Sequence, residues 1–188
     1  VAEGHSQELA EQVFALIAPF AGYGFPKAHA VSYGLVSYWT AFLKANYPEQ
    51  YMVCLLNAYA ENTEKLSVYV SECRRLGIAV KAPDVNRSRT EFSVDYRGEN
   101  GPIIRFGLAS VKNVGGGAVD PIIEAREREG DFDSIEHMCR VAKLNGLNRK
   151  SLESLIKVGA FDEFGDRSAF LEVVDRILSL AQSEAKLR

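Results

Sequence analysis

Leu108-Ala109-Ser110-Val111-Lys112-Asn113-Val114-Gly115-Gly116-Gly117-Ala118, closed by Ile122-Ile123, is the stretch on which the fold turns. A short apolar helical turn runs into a glycine-rich loop and then into a second helix. Three consecutive glycines permit positive φ and close approach of a partner. Their N–H groups, with the start of the following helix, form an anion-binding concavity beside Lys112. Pro121 is tolerated there because it falls in the first turn of that second helix. An ordinary glycine loop between helices has the same composition, and this stretch alone leaves both readings open.

A second, weaker copy lies about forty residues on. Leu152, Leu155 and Ile156 end a helix, Lys157-Val158-Gly159-Ala160-Phe161 turns, and another helix follows Gly165-Asp166. The pair resembles tandem helix-hairpin-helix motifs, which pack together and grip DNA phosphates without reading bases. The first hairpin departs from the usual pattern, with Asn113 where its first glycine is expected. Asn is the non-glycine residue most at ease with positive φ, so the hairpin survives. The resemblance implies duplex-phosphate contacts from Lys112, Asn113, Gly115, Gly116, Gly117 and Ala118, with charge added by Arg149, Lys150 and Lys157. A solvated basic helix face is the other reading of those last three.

Upstream the chain reads as helices. Ser6 caps one whose apolar residues Leu9, Val13, Leu16, Ile17 and Phe20 recur at helical spacing. A longer helix spans about 28–46, apolar on so much of its circumference that burial on several sides is expected. Pro48 opens a third, and Asn62 caps a fourth that stops at Gly77. Thr90 to Tyr96 alternates as a strand, Arg97-Gly98-Glu99-Asn100-Gly101 turns, and Ile103 to Leu108 returns. Helices are expected again at about 117–128, 134–141, 148–157 and 166–182. The fold class is therefore mainly α with a small β-hairpin. A helical bundle (1–80) and a linker with the hairpin (81–108) precede the tandem helix-hairpin-helix region (109–188).

Composition sets bounds. Of 188 residues, 47% are hydrophobic and 25% charged, which suits a folded globular chain. No stretch approaches the ~20 apolar residues of a membrane helix. The net charge of −3 argues against a basic DNA-binding domain, yet residues 73–112 hold eight Lys and Arg against four Asp and Glu. Local charge governs where phosphate binds. Cys54, Cys73 and Cys139 are odd in number and widely spaced, against zinc or disulfides and in keeping with a reducing cytoplasm. Cys54 and Cys139 read as core thiols. Asp131-Phe132-Asp133 mimics a two-metal carboxylate pair, but Asp133 reads as the cap of the next helix.

Gly22-Tyr23-Gly24-Phe25-Pro26-Lys27-Ala28-His29 delivers a Lys and a His to the start of a helix. A cation is disfavoured there by the dipole, so Lys27 reads as a phosphate clamp or as a plain surface lysine. The segment from Phe20 to Tyr33 resembles the fingers of the alpha subunits of bacterial DNA polymerase III, the family C replicative polymerases. So do Ala41 to Pro48, Asn62 to Lys65, Glu72 to Ile78, Pro83-Asp84-Val85-Asn86, Ile104 to Leu108 with the hairpin, Leu147 to Lys150 and Leu155 to Asp162. One departure is Pro26, where Asn is common.

The resemblance covers nearly the whole chain and implies outer fingers followed by the helix-hairpin-helix region. The parent would extend a primer on template DNA with deoxynucleoside triphosphates. It implies that Lys27 and His29 grip the incoming triphosphate. Magnesium would be bound by a palm domain absent from this chain, so the piece alone is expected to be inactive. The implied partners are primer-template DNA, nucleotide, the sliding clamp and other replisome subunits, in a bacterial cytoplasm and without a membrane. The start at Val1 without Met reads as a cut from a longer polypeptide. Two rivals remain: a stand-alone helix-hairpin-helix module of a repair protein, and a protein–protein scaffold using helix 28–46.

Overall fold

The computed structural model describes residues 4–98 and 101–186, and the chain divides into two units, 1–46 and 47–188. In the first, Ser6 starts helix α1 (Gln7–Ile17), its side chain accepting from the Leu9 amide at 3.2 Å. Pro19 enters a 3-10 turn at Ala18–Tyr23, and α2 (Lys27–Asn46) follows. Neither helix buries a residue, and Val31, Tyr33, Tyr38 and Trp39 are all more than half exposed. The expected burial of α2 on several sides is not found. An all-round apolar helix needs a complementary neighbour, and residues 4–46 contain no core against which it could pack.

The second unit has two cores. Pro48 opens α3 (Pro48–Ala58), and Asn62 caps α4 (Thr63–Arg75) by accepting from the Lys65 amide at 3.0 Å. Gly77, at φ 76°, ends α4. Ile78 N–H donates to the Cys73 carbonyl and Gly77 N–H to that of Arg74, the paired bonds of a Schellman stop. These helices pack on strands β1 (Val80–Lys81), β2 (Ser93–Asp95) and β3 (Ile103–Arg105), in the order β1-β3-β2. β3 pairs antiparallel with β2, as the hairpin pattern predicts, and parallel with β1. Met52, Leu56, Cys73, Ile78, Phe92 and Ile104 fill this first core.

The strands are shorter than the alternation predicts. Asn57 on α3 takes both backbone groups of Phe92, donating to its carbonyl at 3.0 Å and accepting from its amide at 2.9 Å. That contact removes Phe92 from the ladder. The expected turn includes Glu99 and Asn100, which lie outside the described residues. Cys54 is exposed, correcting the expectation of a core thiol. It stands two residues from Met52, on the other side of a helix whose Met52 and Leu56 point inward. Burial pushes the Cys73 thiol up to about 11 and that of Cys139 up to about 12.

The larger core joins α5 (Gly116–Glu129), α6 (Ile135–Val141), α7 (Arg149–Lys157), α8 (Arg167–Glu172) and α9 (Val174–Lys186). The expected final helix is broken at Val173, after which Val174, Ile177 and Ala181 enter the core. Ser134, not Asp133, caps α6. Pro121 lies beyond the first turn, contrary to expectation. Its missing N–H leaves the Gly117 carbonyl without a helical partner, and Gly146 packs on that carbonyl so closely that a Cβ would sit 2.3 Å from the oxygen. Asn86 ties the segment after β1 to this core. It donates to the Phe132 carbonyl at 2.9 Å and accepts from the Phe132 amide at 2.8 Å.

Candidate nucleic-acid interface

Two successive turns, not a full helix, lead into the first hairpin: Ser110 N–H bonds the Gly107 carbonyl and Val111 N–H that of Leu108. Gly107 is needed here, since a Cβ would lie 2.4 Å from the Glu91 backbone. The left-handed residue is Asn113, at φ 70°, as its place in the pattern predicts. Gly115, Gly116 and Gly117 do not adopt positive φ, which corrects the reason given for them. A Cβ on Gly115 or Gly117 would meet nothing within 4 Å. The protein's own fold therefore does not demand glycine at either position, whereas close approach from outside would.

Gly115 is the N-cap residue of α5 and provides no side-chain cap. The Ala118 amide already donates to the Gly115 carbonyl at 3.0 Å, and its side chain is buried, so Ala118 offers little to a partner. Gly116 and Gly117 present the remaining first-turn amides, which no helix satisfies internally. Asp120 stands to one side, its Oδ2 placed 3.1 Å from where a Gly116 Cβ would be, while Oδ1 accepts from Thr90 at 2.8 Å. A cleft of about 990 Å³ opens alongside, with Lys112 and Gly116 on one wall and the Tyr59–Thr63 turn on the other.

The hairpin rests on α7. Ser151, nearly fully buried, donates from Oγ to the Asn113 carbonyl at 2.9 Å, and Asn113 Nδ2 donates to Ser154 Oγ at 3.2 Å. These serines gave no sequence signal, because their role depends on a partner about forty positions away. Among the four candidate cations here, Lys112 and Lys150 make no ion pair among the described residues. Arg149 and Lys157 both bind Glu153, at 2.8 and 3.4 Å, and Arg149 also bonds Asp175. First Arg149, then Lys157, holds the Glu153 carboxyl below the usual range.

The second copy is built differently. Gly159, at φ 86°, is a Schellman stop: its amide bonds the Ile156 carbonyl, and the Ala160 amide that of Leu155. Its N–H groups are thus spent within the protein. The Arg167 guanidinium lies over Gly159, held by Asp162 at 2.7 and 2.5 Å and donating to the Lys157 carbonyl at 3.1 Å. Basic residues of the 73–112 segment are also engaged: Arg75 pairs with Glu72, Arg87 with Glu163, and Arg97 and Arg105 with Asp95. Half of the eight basic side chains in that segment are thus held in ion pairs.

In the first unit, Lys27 is the first residue of α2, and the exposed His29 ring packs on Tyr33 with centroids 4.5 Å apart. Pro26 takes the cap position, its carbonyl accepting from Ala30 at 3.0 Å. It cannot supply the side-chain cap that Asn would. Among the described residues no three His, Cys, Asp or Glu side chains come together to hold a metal ion. No described helix is long and apolar enough to cross a membrane.

The helix-hairpin-helix motif family matches residues 77–170. The chain is 41% identical over 188 residues to DNA polymerase III subunit alpha of Saccharopolyspora erythraea, covering 97% of this chain and 15% of that protein. The same subunit of Borreliella burgdorferi is 41% identical over 185 residues, covering 98% of this chain and 16% of the relative. That of Thermus aquaticus is 42% identical over 178 residues, covering 95% and 14%. The chain thus spans about 15% of the length of the curated relatives it matches. It belongs to the helix-hairpin-helix motif family, and nearly all of it matches one segment of the DNA polymerase III alpha subunit.

Proposed function

We propose that this chain is the outer-fingers and helix-hairpin-helix portion of a bacterial replicative polymerase and grips duplex DNA without reading sequence. The parent enzyme extends a primer with deoxynucleoside triphosphates on a DNA template. The observation that carries the DNA reading is the first hairpin. It is held by a left-handed Asn113 and leaves the Gly116 and Gly117 amides at an uncapped helix start, in a cleft that Lys112 also lines. A backbone phosphate oxygen fits such a site through charge-assisted N–H bonds and nearby cations. Bases are not addressed by amides in this arrangement.

The match to the polymerase subunit extends well before residue 77, through α1 and α2, which a stand-alone helix-hairpin-helix repair module would not need. Lys27 and His29 approach the triphosphate of the incoming nucleotide in the parent. Magnesium is held there by palm carboxylates outside this segment, and no step of the present residues runs through it. The sliding clamp and other replisome subunits, in the bacterial cytoplasm, are the parent's partners. Titration of the whole chain into labelled random-sequence duplex at several salt concentrations tests the DNA reading. Binding that weakens linearly in log–log form supports it, and binding indifferent to salt refutes it.

A further inference from the structure

We infer that Asn113 is a positioning residue that clamps the first hairpin onto α7, so that Lys112, the open start of α5 and Lys150 meet the duplex as one footprint. This rests on the duplex-binding reading above. Among the described residues Asn113 is the non-glycine residue with positive φ. Glycine would enter that conformation more freely but could not reach α7. The Asn side chain reaches Ser154 Oγ at 3.2 Å, while its own carbonyl receives Ser151 Oγ at 2.9 Å. Ser151 is itself oriented by Asn148, whose Oδ1 accepts the Ser151 amide at 3.0 Å.

The clamp falls at a telling place on α7. Lys150, Ser154 and Lys157 follow at i, i+4 and i+7 and so share one face. Docking Asn113 on Ser154 therefore sets the hairpin midway along a face that carries a lysine at either end. Lysines on separate elements, Lys112 on the hairpin and Lys150 on α7, can meet one duplex together only if the hairpin is fixed against α7. Where the hairpin is released, only a fraction of molecules presents the joint footprint, and apparent affinity falls by that fraction.

The test uses the whole chain with random-sequence duplex, measuring affinity against salt together with thermal unfolding. N113G keeps a compatible backbone and loses the reach to Ser154, while S154A leaves the hairpin backbone untouched. Each is expected to bind about fivefold more weakly, the fold-change of one typical hydrogen bond. The N113G/S154A double variant should lose no more than either single variant, and S154T, which keeps the hydroxyl, should bind as the unmodified chain does. A shallower salt slope in N113G, without a matching loss of thermal stability, separates positioning from a purely structural role. Unchanged affinity in N113G or S154A overturns the inference, as does a double variant whose loss is the product of the two. Salt-independent binding by the unmodified chain overturns the duplex reading itself, and the clamp's role with it.

Discussion

Glu153→Gln tests the charge balance of the candidate interface in a direction that simple loss of function cannot imitate. Glu153 pairs with Arg149 and Lys157 on its own helix, so that of the four candidate cations Lys112 and Lys150 are the two without an ion pair among the described residues. Two phosphate contacts give a log–log salt slope of about −1.8, or about a twelvefold loss between about 50 and about 200 mM salt. Glutamine keeps the shape of the side chain and removes its charge. Arg149 retains Asp175, whereas Lys157 loses its only ion-pair partner among the described residues. A third contact steepens the slope to about −2.7, and the loss over the same range to about 40-fold. Fluorescence anisotropy of the whole chain on labelled duplex reads both slope and affinity. Tighter binding at low salt with the steeper slope is expected. An unchanged slope would refute the placement of phosphates along α7. Weaker binding would show that Glu153 organises the face and does not hold its cations back.

Further perturbations probe other parts of the account. Asp120→Asn should tighten duplex binding, because it removes a like charge from beside the α5 start, and anisotropy checks it. Asn86→Ala leaves the buried Phe132 amide and carbonyl unpaired and should cost about 3 kcal/mol in urea unfolding. Burial opposes ionisation of Asp95, but the Arg97 amide and the Arg105 guanidinium prevail and hold its carboxyl below the usual range. Its folded pKa lies under the unfolded value, so its stabilisation is present above about pH 4 and lost as pH falls through the folded pKa. The stability gap between the natural chain and Asp95→Asn should therefore shrink in acid, as pH-dependent unfolding would reveal. In a full-length polymerase carrying this segment, Lys27→Ala should raise the Michaelis constant for nucleotide, and steady-state kinetics decide it.

What could be read from the sequence was what neighbouring residues decide among themselves. Ser6 and Asn62 both cap helices through their side chains, and Gly77 is a left-handed stop. The positive φ of Asn113 followed from one unusual residue in a familiar spacing. What escaped depends on residues far apart in the chain. β1 is two residues long and exists through pairing with Ile104 and Arg105, more than twenty positions away. Asn57 cuts β2 short from α3. The periodicity of α2 reports an apolar surface but cannot say whether anything covers it within the chain. The exception is Glu153, four residues from both Arg149 and Lys157 on one helix, which was within local reach and was passed over. The Asp175 partner of Arg149 is visible only once the helices are placed. The two hairpins share a sequence pattern, yet one spends its amides on a helix stop and the other leaves them open.

That difference makes the central claim directly measurable. Amide chemical shifts of the isotopically labelled chain, followed as random-sequence duplex is added, report each hairpin separately. The Gly116 and Gly117 amides should move, with Lys112 close behind, while those of Gly159 and Ala160 stay where they are. Movement at Gly159 and Ala160 with silence at Gly116 and Gly117 would contradict that claim.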